Sequence, residues 1–164
     1  MTAILPTAED ALLAPFKQAM RRHAGRVCIV TCRDGQDING MAVTSATSCS
    51  MAPPSVLVCL NKTASLLPLI QSAGVFGLTV LAAHHEGIAA AFSRKPSGAA
   101  RFAHGSWTTD GDSQPWLEDA LANMSCRVEQ TIAYGTHVAM IGRIVDVQLA
   151  QDGASLVYRD GKYL

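Results

Sequence analysis

The 164-residue sequence has no surplus of charge: 13 lysines and arginines balance 13 aspartates and glutamates. No net field draws such a surface onto nucleic acid or anionic lipid, so neither is expected as a partner and recognition has to rest on local sites. A close C-x-x-C pair is also lacking. Cys28, Cys32, Cys49, Cys59 and Cys126 are odd in number and lie mostly inside apolar runs. They read as buried thiols of a reducing cytoplasm, not as a disulfide framework. The first twenty residues, MTAILPTAEDALLAPFKQAM, are broken by Glu9, Asp10 and Lys17 and show no basic leader before a hydrophobic stretch, and no run is long enough to span a bilayer. Internal repeats and low-complexity tracts are absent. A chain of this length closes a substantial core without metal or disulfide support, so one domain over residues 1–164 is expected, with residues 1–13 as the lead-in to the first helix.

Thr7 and Asp10 have the spacing of a capping box, and Leu12, Leu13, Phe16, Ala19 and Met20 recur at helical spacing before Gly25. RVCIVTCR reads as a strand, DGQDING as a turn, and NGMAVTSATSCS as a second strand. Pro53 and Pro54 interrupt pairing before SVLVCL, an apolar run suited to a buried strand. LLPLIQSAG is a short helix, with Ser65 placed to cap it and Gly74 past its end. VFGLTVL follows as a strand and HHEGIAAAFS as a helix of small residues. Residues 93–115 have neither period, and a loop of that length carrying Arg94, Lys95 and Arg101 reads as functional. Two long strands then flank Gly135 and Thr136, and SLVYRDGKYL forms a terminal hairpin around Asp160 and Gly161. Six or seven strands with two or three short helices point to an antiparallel β-barrel rather than a doubly wound sheet.

The segment from residue 39 to 65, NGMAVTSATSCSMAPPSVLVCLNKTAS, does not look like ordinary core. Thr44, Ser45, Ala46, Thr47, Ser48, Cys49 and Ser50 are all small, so the backbone can approach a planar ring closely while hydroxyls and N–H groups bond its edge. Asn61, Lys62, Thr63 and Ser65 stand just before a helix start, where unpaired N–H groups favour an anion. One flat, phosphate-bearing ligand spans both. Each feature alone is as well explained by a solvated edge strand and an ordinary capped turn; together with the basic loop they favour the ligand.

The succession G-M-A-V-T-S-A-T-S-C-S-M-A-P-P-S-V-L-V-C-L-N-K-T-A-S, F-G-L-T-V-L, A-x-x-F-S, A-R-F-A, G-T-H and L-V-Y-R-D-G-K-Y resembles the flavin reductase family with the FMN-binding split-barrel fold, over about residues 14–163. It is most similar to the short reductase components that supply reduced flavin to a separate monooxygenase. The resemblance implies a six- or seven-stranded antiparallel split barrel of Greek-key type with short flanking helices. It also implies FMN or FAD as flavin, NADH or NADPH as hydride donor, and a homodimer whose protomers bury barrel faces and help form the flavin cleft. Thr44, Ser45, Ala46, Thr47 and Ser48 match the segment lining the isoalloxazine ring, while Asn61, Lys62 and Ser65 match the ribityl and phosphate loop. Phe92, Ser93 and Arg94 fall on the A-x-x-F-S stretch near the phosphate, and Arg101 and Phe102 on the R-F motif. His137 matches the histidine near the nicotinamide, and Tyr158 and Tyr163 the aromatic positions of the last hairpin. Cys49 and Met51 depart from the family's usual apolar and polar residues without removing a ligand group.

Hydride transfer between stacked rings asks the protein for orientation and exclusion, which explains why no acid–base dyad is apparent. His137 is the one catalytic candidate, steadying the nicotinamide carboxamide or reduced flavin. His84 and His85 are adjacent and have no matching cysteine or carboxylate set, so a cap or surface role is expected of them and no metal. A flavoredoxin-like electron carrier and a non-catalytic flavin binder are the alternatives on the same scaffold.

Overall fold

The computed structural model describes residues 8–94, 97–108, 114–150 and 152–164. Lys95 and the Thr7 half of the expected capping box lie outside the described residues. The first helix, α1, spans Ala8–Arg22, so it begins inside the 1–13 segment expected to lead into it.

The main sheet has seven strands, all antiparallel: β2 (Cys28–Asp34), β3 (Asp37–Val43), β4 (Ala46–Met51), β5 (Pro54–Asn61), β6 (Val75–Val80), β9 (Ala122–Tyr134) and β10 (His137–Leu149). Their order is β3-β2-β6-β9-β10-β5-β4. The two edge strands, β3 and β4, are consecutive in the chain and joined only by Thr44 and Ser45. Laid flat, seven strands put these edges about 29 Å apart at about 4.8 Å per strand. Three peptide steps from Val43 to Ala46 reach about 11 Å at most. The sheet therefore rolls into a barrel that stays open along one seam, between β3 and β4. Going round it, β2, β3, β4 and β5 follow one another and β6 returns through α2 (Leu67–Ala73) to lie beside β2, a Greek-key path.

The stretch NGMAVTSATSCS is thus two strands on opposite sides of a seam, not the single strand its composition suggests. The turn before it is shorter than expected, since pairing resumes at Asp37 opposite Asp34. Within β4 the register slips between Ser48 and Ser50, which leaves Cys49 as the extra residue of a bulge, exposed at the edge.

Two apolar clusters hold the fold. Inside the barrel, alternate residues of β2 (Cys28, Val30, Cys32) meet Val56, Val58, Leu60, Phe76, Leu78, Cys126 and Met140, with Leu66, Leu67 and Ile70 closing one end. The other face of β2 supplies Ile29, which packs with Ala89 and Phe92 of α3 (Glu86–Ser93), Leu81, Leu117 and Leu156. β2 is buried on both faces, which is why its sequence is continuously apolar. Two close approaches need glycine. A Cβ at Gly142 would drive into the Phe76 ring, and one at Gly40 would meet Phe92 Cε1 at 2.7 Å.

The expected cap of α2 is not made by Ser65; the N-cap is Leu66, with no side-chain bond, whereas Gly74 closes the helix in the left-handed region at φ 67°. Residues 93–115 contain more structure than their sequence suggested: a 3-10 helix at Ala99–Ala103 and a two-residue strand β7 (Trp107–Thr108) paired with β8 (Trp116–Leu117). The terminal hairpin forms as β11 (Val157–Arg159) and β12 (Lys162–Tyr163), with β11 also pairing with β1 (Gly25–Arg26). Of the five cysteines expected to be buried, Cys28, Cys32 and Cys126 are; Cys59 is half-buried and Cys49 exposed, because both lie toward the barrel's outer side or edge. Among the described residues, no helix is long and apolar enough to cross a membrane.

Candidate active site

The open seam creates a cleft. On its β3 side, Ala42, Val43, Thr44, Ser93, Arg94 and Tyr158 line a cavity of about 420 Å³. It continues, through Thr44, Tyr158 and Gly161, into one of about 600 Å³ bounded by Ser45 and by Phe16, Met20 and Arg21 of α1. Tyr158 is 37 % exposed and rests edge-on against Tyr163, ring centroids 5.2 Å apart, so the pair forms a firm aromatic wall. Arg21 fixes the hairpin that carries the wall: its Nε donates to Asp160 Oδ1 at 3.0 Å and its carbonyl accepts from Asp160 N–H at 2.9 Å.

The strip of small residues is exposed at Thr44, Ser45, Thr47 and Ser48 and half-buried at Ala46. Ser45 is anchored: its hydroxyl donates to the Cys59 carbonyl at 2.7 Å and its carbonyl accepts from Cys59 N–H at 3.3 Å. Ala46, Thr47 and Ser48 run on along β4 and line a separate opening of about 260 Å³ with Pro54 and Ser55. Thr44, Ser45, Thr47 and Ser48 are thus reachable from solvent along the seam, which a flat ring requires.

A second group gathers at the far end of β3. Asn61 Oδ1 accepts from the N–H and hydroxyl of Thr63 at 2.9 and 2.8 Å, tightening the loop that presents Lys62 and Ser65 to solvent. Lys62 N–H donates to the Thr136 carbonyl at 2.9 Å, tying this loop to the β9–β10 turn. Strand register sets His137 directly opposite Asn61, and its Nδ1 lies 2.8 Å from Thr136 Oγ1. His137 therefore stands with the loop of Asn61 and Lys62, not among the residues lining the two cavities.

Asn39, which the sequence did not single out, links the groups. It is 7 % exposed; its Nδ2 donates to Ser65 Oγ at 3.1 Å, and its Oδ1 accepts from Gly40 N–H at 2.8 Å and Gly98 N–H at 2.9 Å. Gly98 precedes the 3-10 helix that carries Arg101. The Arg101 guanidinium returns to β3, donating to the Gly40 carbonyl, and also donates to the Arg94 carbonyl at 2.6 Å. Partial burial lowers the affinity of this guanidinium for its proton. Ser65, Asn39, Gly40, Arg101 and Arg94 thus form one connected chain of hydrogen bonds. With Asn39 donating to the Ser65 oxygen, the Ser65 hydroxyl proton is free to point outward to an anion.

Two expected contacts are packed among aromatic rings. Phe92 is 1 % exposed and belongs to the core, and Phe102 packs edge-on against it at 5.2 Å with Trp107 alongside. Ser93 does line the cleft, but its hydroxyl donates back to the Ala89 carbonyl at 2.8 Å.

His84 and His85 acquire a carboxylate the sequence did not suggest: their Nε2 atoms lie 3.4 and 3.1 Å from Asp119 Oδ2. His85 is buried and its Nδ1 accepts from Ala82 N–H at 3.1 Å, which leaves the ring proton on Nε2, facing the carboxylate. That tautomer caps the turn before α3 and has no lone pair on Nε2 for a metal. The His85 N–H beside Asp119 holds its carboxyl below the usual carboxylate range.

A phosphate-bearing tricycle fits these residues: accessible main chain with hydroxyls along the seam, Arg94 in the wall of the 420 Å³ cavity, and no carboxylate among the described residues that line it. Comparison with known proteins agrees. Residues 20–164 match the model of the flavin reductase like domain. The FMN reductase (NADH) RutF of Agrobacterium fabrum is 37 % identical over 157 residues, 96 % of this chain and 90 % of that protein. The reductase component of the FADH(2)-dependent resorcinol hydroxylase of Rhizobium sp. is 36 % identical over 150 residues, 90 % of this chain and 84 % of that protein. A candidate flavin reductase from Haemophilus somnus, solved by crystallography, superposes with a TM-score of 0.88 at 32 % identity, covering 93 % of this chain and 97 % of the other. With residues 20–164 matched and relatives 36–37 % identical over at least 90 % of its length, the chain belongs to the family of flavin reductase like domains.

Proposed function

We propose that the protein is an NADH-dependent flavin reductase that binds FMN or FAD in the seam between β3 and β4 and passes reduced flavin to a separate monooxygenase. The observation that carries this reading is the seam itself, an exposed strip of small residues opening into cavities of about 420 and 600 Å³. Bound flavin supplies the ring that accepts a hydride from the nicotinamide. The protein's own part is to hold two rings face to face. Thr44 and Ser45 offer main chain and hydroxyls to the ring edge, and the Tyr158 and Tyr163 wall limits how far either ring can slide. Lys62, Ser65 and Arg94 bind the phosphate, and binding there anchors the ring without entering the chemistry. His137, beside the Asn61 loop, serves the nicotinamide nucleotide as a hydrogen-bond donor. NADH as donor is supported by the relative of Agrobacterium fabrum, and a monooxygenase acceptor by the reductase component of the resorcinol hydroxylase of Rhizobium sp..

The reading includes a homodimer. Leu12, Phe16 and Met20 of α1 are 52–67 % exposed, and Ile132 and Tyr134 at the end of β9 are 56 and 84 % exposed. Apolar surface of this extent fits cover by a second copy. Free thiols at all five cysteines fit a reducing cytoplasm.

NADH oxidation followed at 340 nm with added FMN or FAD tests the activity. Turnover that saturates with flavin is expected, and a chain that binds flavin yet leaves NADH untouched contradicts it. Analytical ultracentrifugation tests the dimer, with a 17.3 kDa species as the contrary result.

A further inference from the structure

The two ends of the barrel are finished differently. At one, α2 bridges the close of β5 to the start of β6, and Leu66, Leu67 and Ile70 plug the interior. At the other, where β5 begins and β6 finishes, a cavity of about 260 Å³ opens. Its walls are the last members of the interior cluster: Cys28, Val56 and Leu78, with the half-buried Val80, Met124 and Ile144. One charged side chain reaches it, Arg26, and no carboxylate is among the described residues that line it. Burial raises the Cys28 thiol and the Arg26 charge opposes that rise, which sets the guanidinium beside the same wall. Among the described residues no ion pair engages Arg26.

Size, lining and charge together select a ligand class. An apolar cavity of about 150 Å³ takes one benzene molecule, so this mouth holds a single ring with a short substituent and is too small for a flavin or a dinucleotide. The sulfurs of Cys28 and Met124 favour an aromatic ring over an aliphatic one. A guanidinium at the rim with no acidic partner favours a carboxylate, which it can grip through two parallel N–H donors. We propose that the barrel mouth binds a single-ring aromatic carboxylate, its ring against Leu78 and Met124 and its carboxylate on Arg26. The site is the reverse side of the flavin strip, since Ala46, Thr47 and Ser48 also wall the mouth. β4 is an edge strand paired with β5 and broken by the bulge at Cys49, so an occupant packed beneath it holds the strip in one position. This coupling rests on the flavin reading above: an acid in the mouth tightens flavin binding from a place that flavin does not occupy.

Benzoate is the probe and benzamide its uncharged counterpart, each titrated into the full chain by calorimetry without flavin. Benzoate should bind at millimolar concentration or below, and benzamide at least fivefold more weakly. Arg26→Gln should bring the two probes within twofold of each other. Val80→Phe puts a ring into the mouth at a strand position that suits aromatics, and should abolish binding of both. Thermal melts show that each variant is folded, and the exposed Arg26 site keeps the test decisive if Val80→Phe is not. No binding at millimolar benzoate, as a second copy seated over the mouth would give, overturns the proposal; so does binding that neither substitution weakens. With benzoate saturating, the FMN Kd read by fluorescence quenching should fall at least threefold. An FMN Kd that instead rises in proportion to benzoate places the acid in the seam and overturns the proposal, and an unchanged one overturns the coupling. A chain that binds benzoate through Arg26 but no flavin supports the site and overturns the flavin reading, so the two failures are told apart.

Discussion

Replacing Asn39 by alanine should do more damage than any other single change outside the apolar core. The substitution removes three hydrogen bonds at once, to Ser65 Oγ, Gly40 N–H and Gly98 N–H. Gly40 N–H is buried and loses its side-chain acceptor, a cost of about 1–3 kcal/mol. Gly98 N–H and Ser65 are partly accessible and can find water, so each adds about 0.5–1 kcal/mol. The sum is about 3 kcal/mol, and at about 2–4 °C per kcal/mol for a domain of this size the melting temperature should fall by about 6–12 °C. The loss is not only global. Gly98 leads into the helix that carries Arg101, and Arg101 bonds the carbonyls of Gly40 and Arg94, so the anion end of the cleft loosens as well. Ser65→Ala is the comparison: it leaves Asn39 bonded to both glycines and should cost about 1 kcal/mol. Thermal melts with and without FMN read both effects. An Asn39→Ala melting point within about 2 °C of the unsubstituted protein, or FMN protection left intact, would refute the linking role given to this residue.

Lys62→Ala should raise the FMN Kd about fivefold, the upper range for an exposed ion pair of ~1 kcal/mol. Ser65→Ala should raise it about tenfold through a lost bond to a charged oxygen, and both should spare kcat; equal affinity in both variants contradicts the phosphate assignment. His137→Ala is expected to raise the NADH KM without changing FMN binding, as steady-state kinetics and fluorescence titration will show. Burial pushes the Cys28 thiol up to about 11 and those of Cys32 and Cys126 up to about 12. A thiolate-selective reagent at pH 8 should therefore label Cys49 quickly and these three only after unfolding; rapid labelling of more than Cys49 and Cys59 in the native protein contradicts the packing.

Much of the architecture was legible because it is local. Alternating apolar residues around Gly135 and Thr136 announce β9 and β10, and Asp160 and Gly161 announce the last hairpin, since turn chemistry and period 2 act within a few residues. The seam was not legible. Residues 39–50 carry no turn signal at Thr44 and Ser45, and only the order of the whole sheet separates β3 from β4. Sequence likewise could not pair Ser65 with Asn39, 26 residues away, nor bring Asp119 to His85. Phe92 and Phe102 show a different limit: an aromatic inside a motif can serve the ligand or the core, and only packing decides.

A crystal structure with FMN bound tests the account where it is most exposed. The isoalloxazine should lie along residues 44–48 in the seam, facing Tyr158, with its phosphate within hydrogen-bond distance of Ser65 and of Lys62 or Arg94. Flavin bound on another face of the barrel, or a seam closed by β3–β4 pairing in the complex, would contradict it.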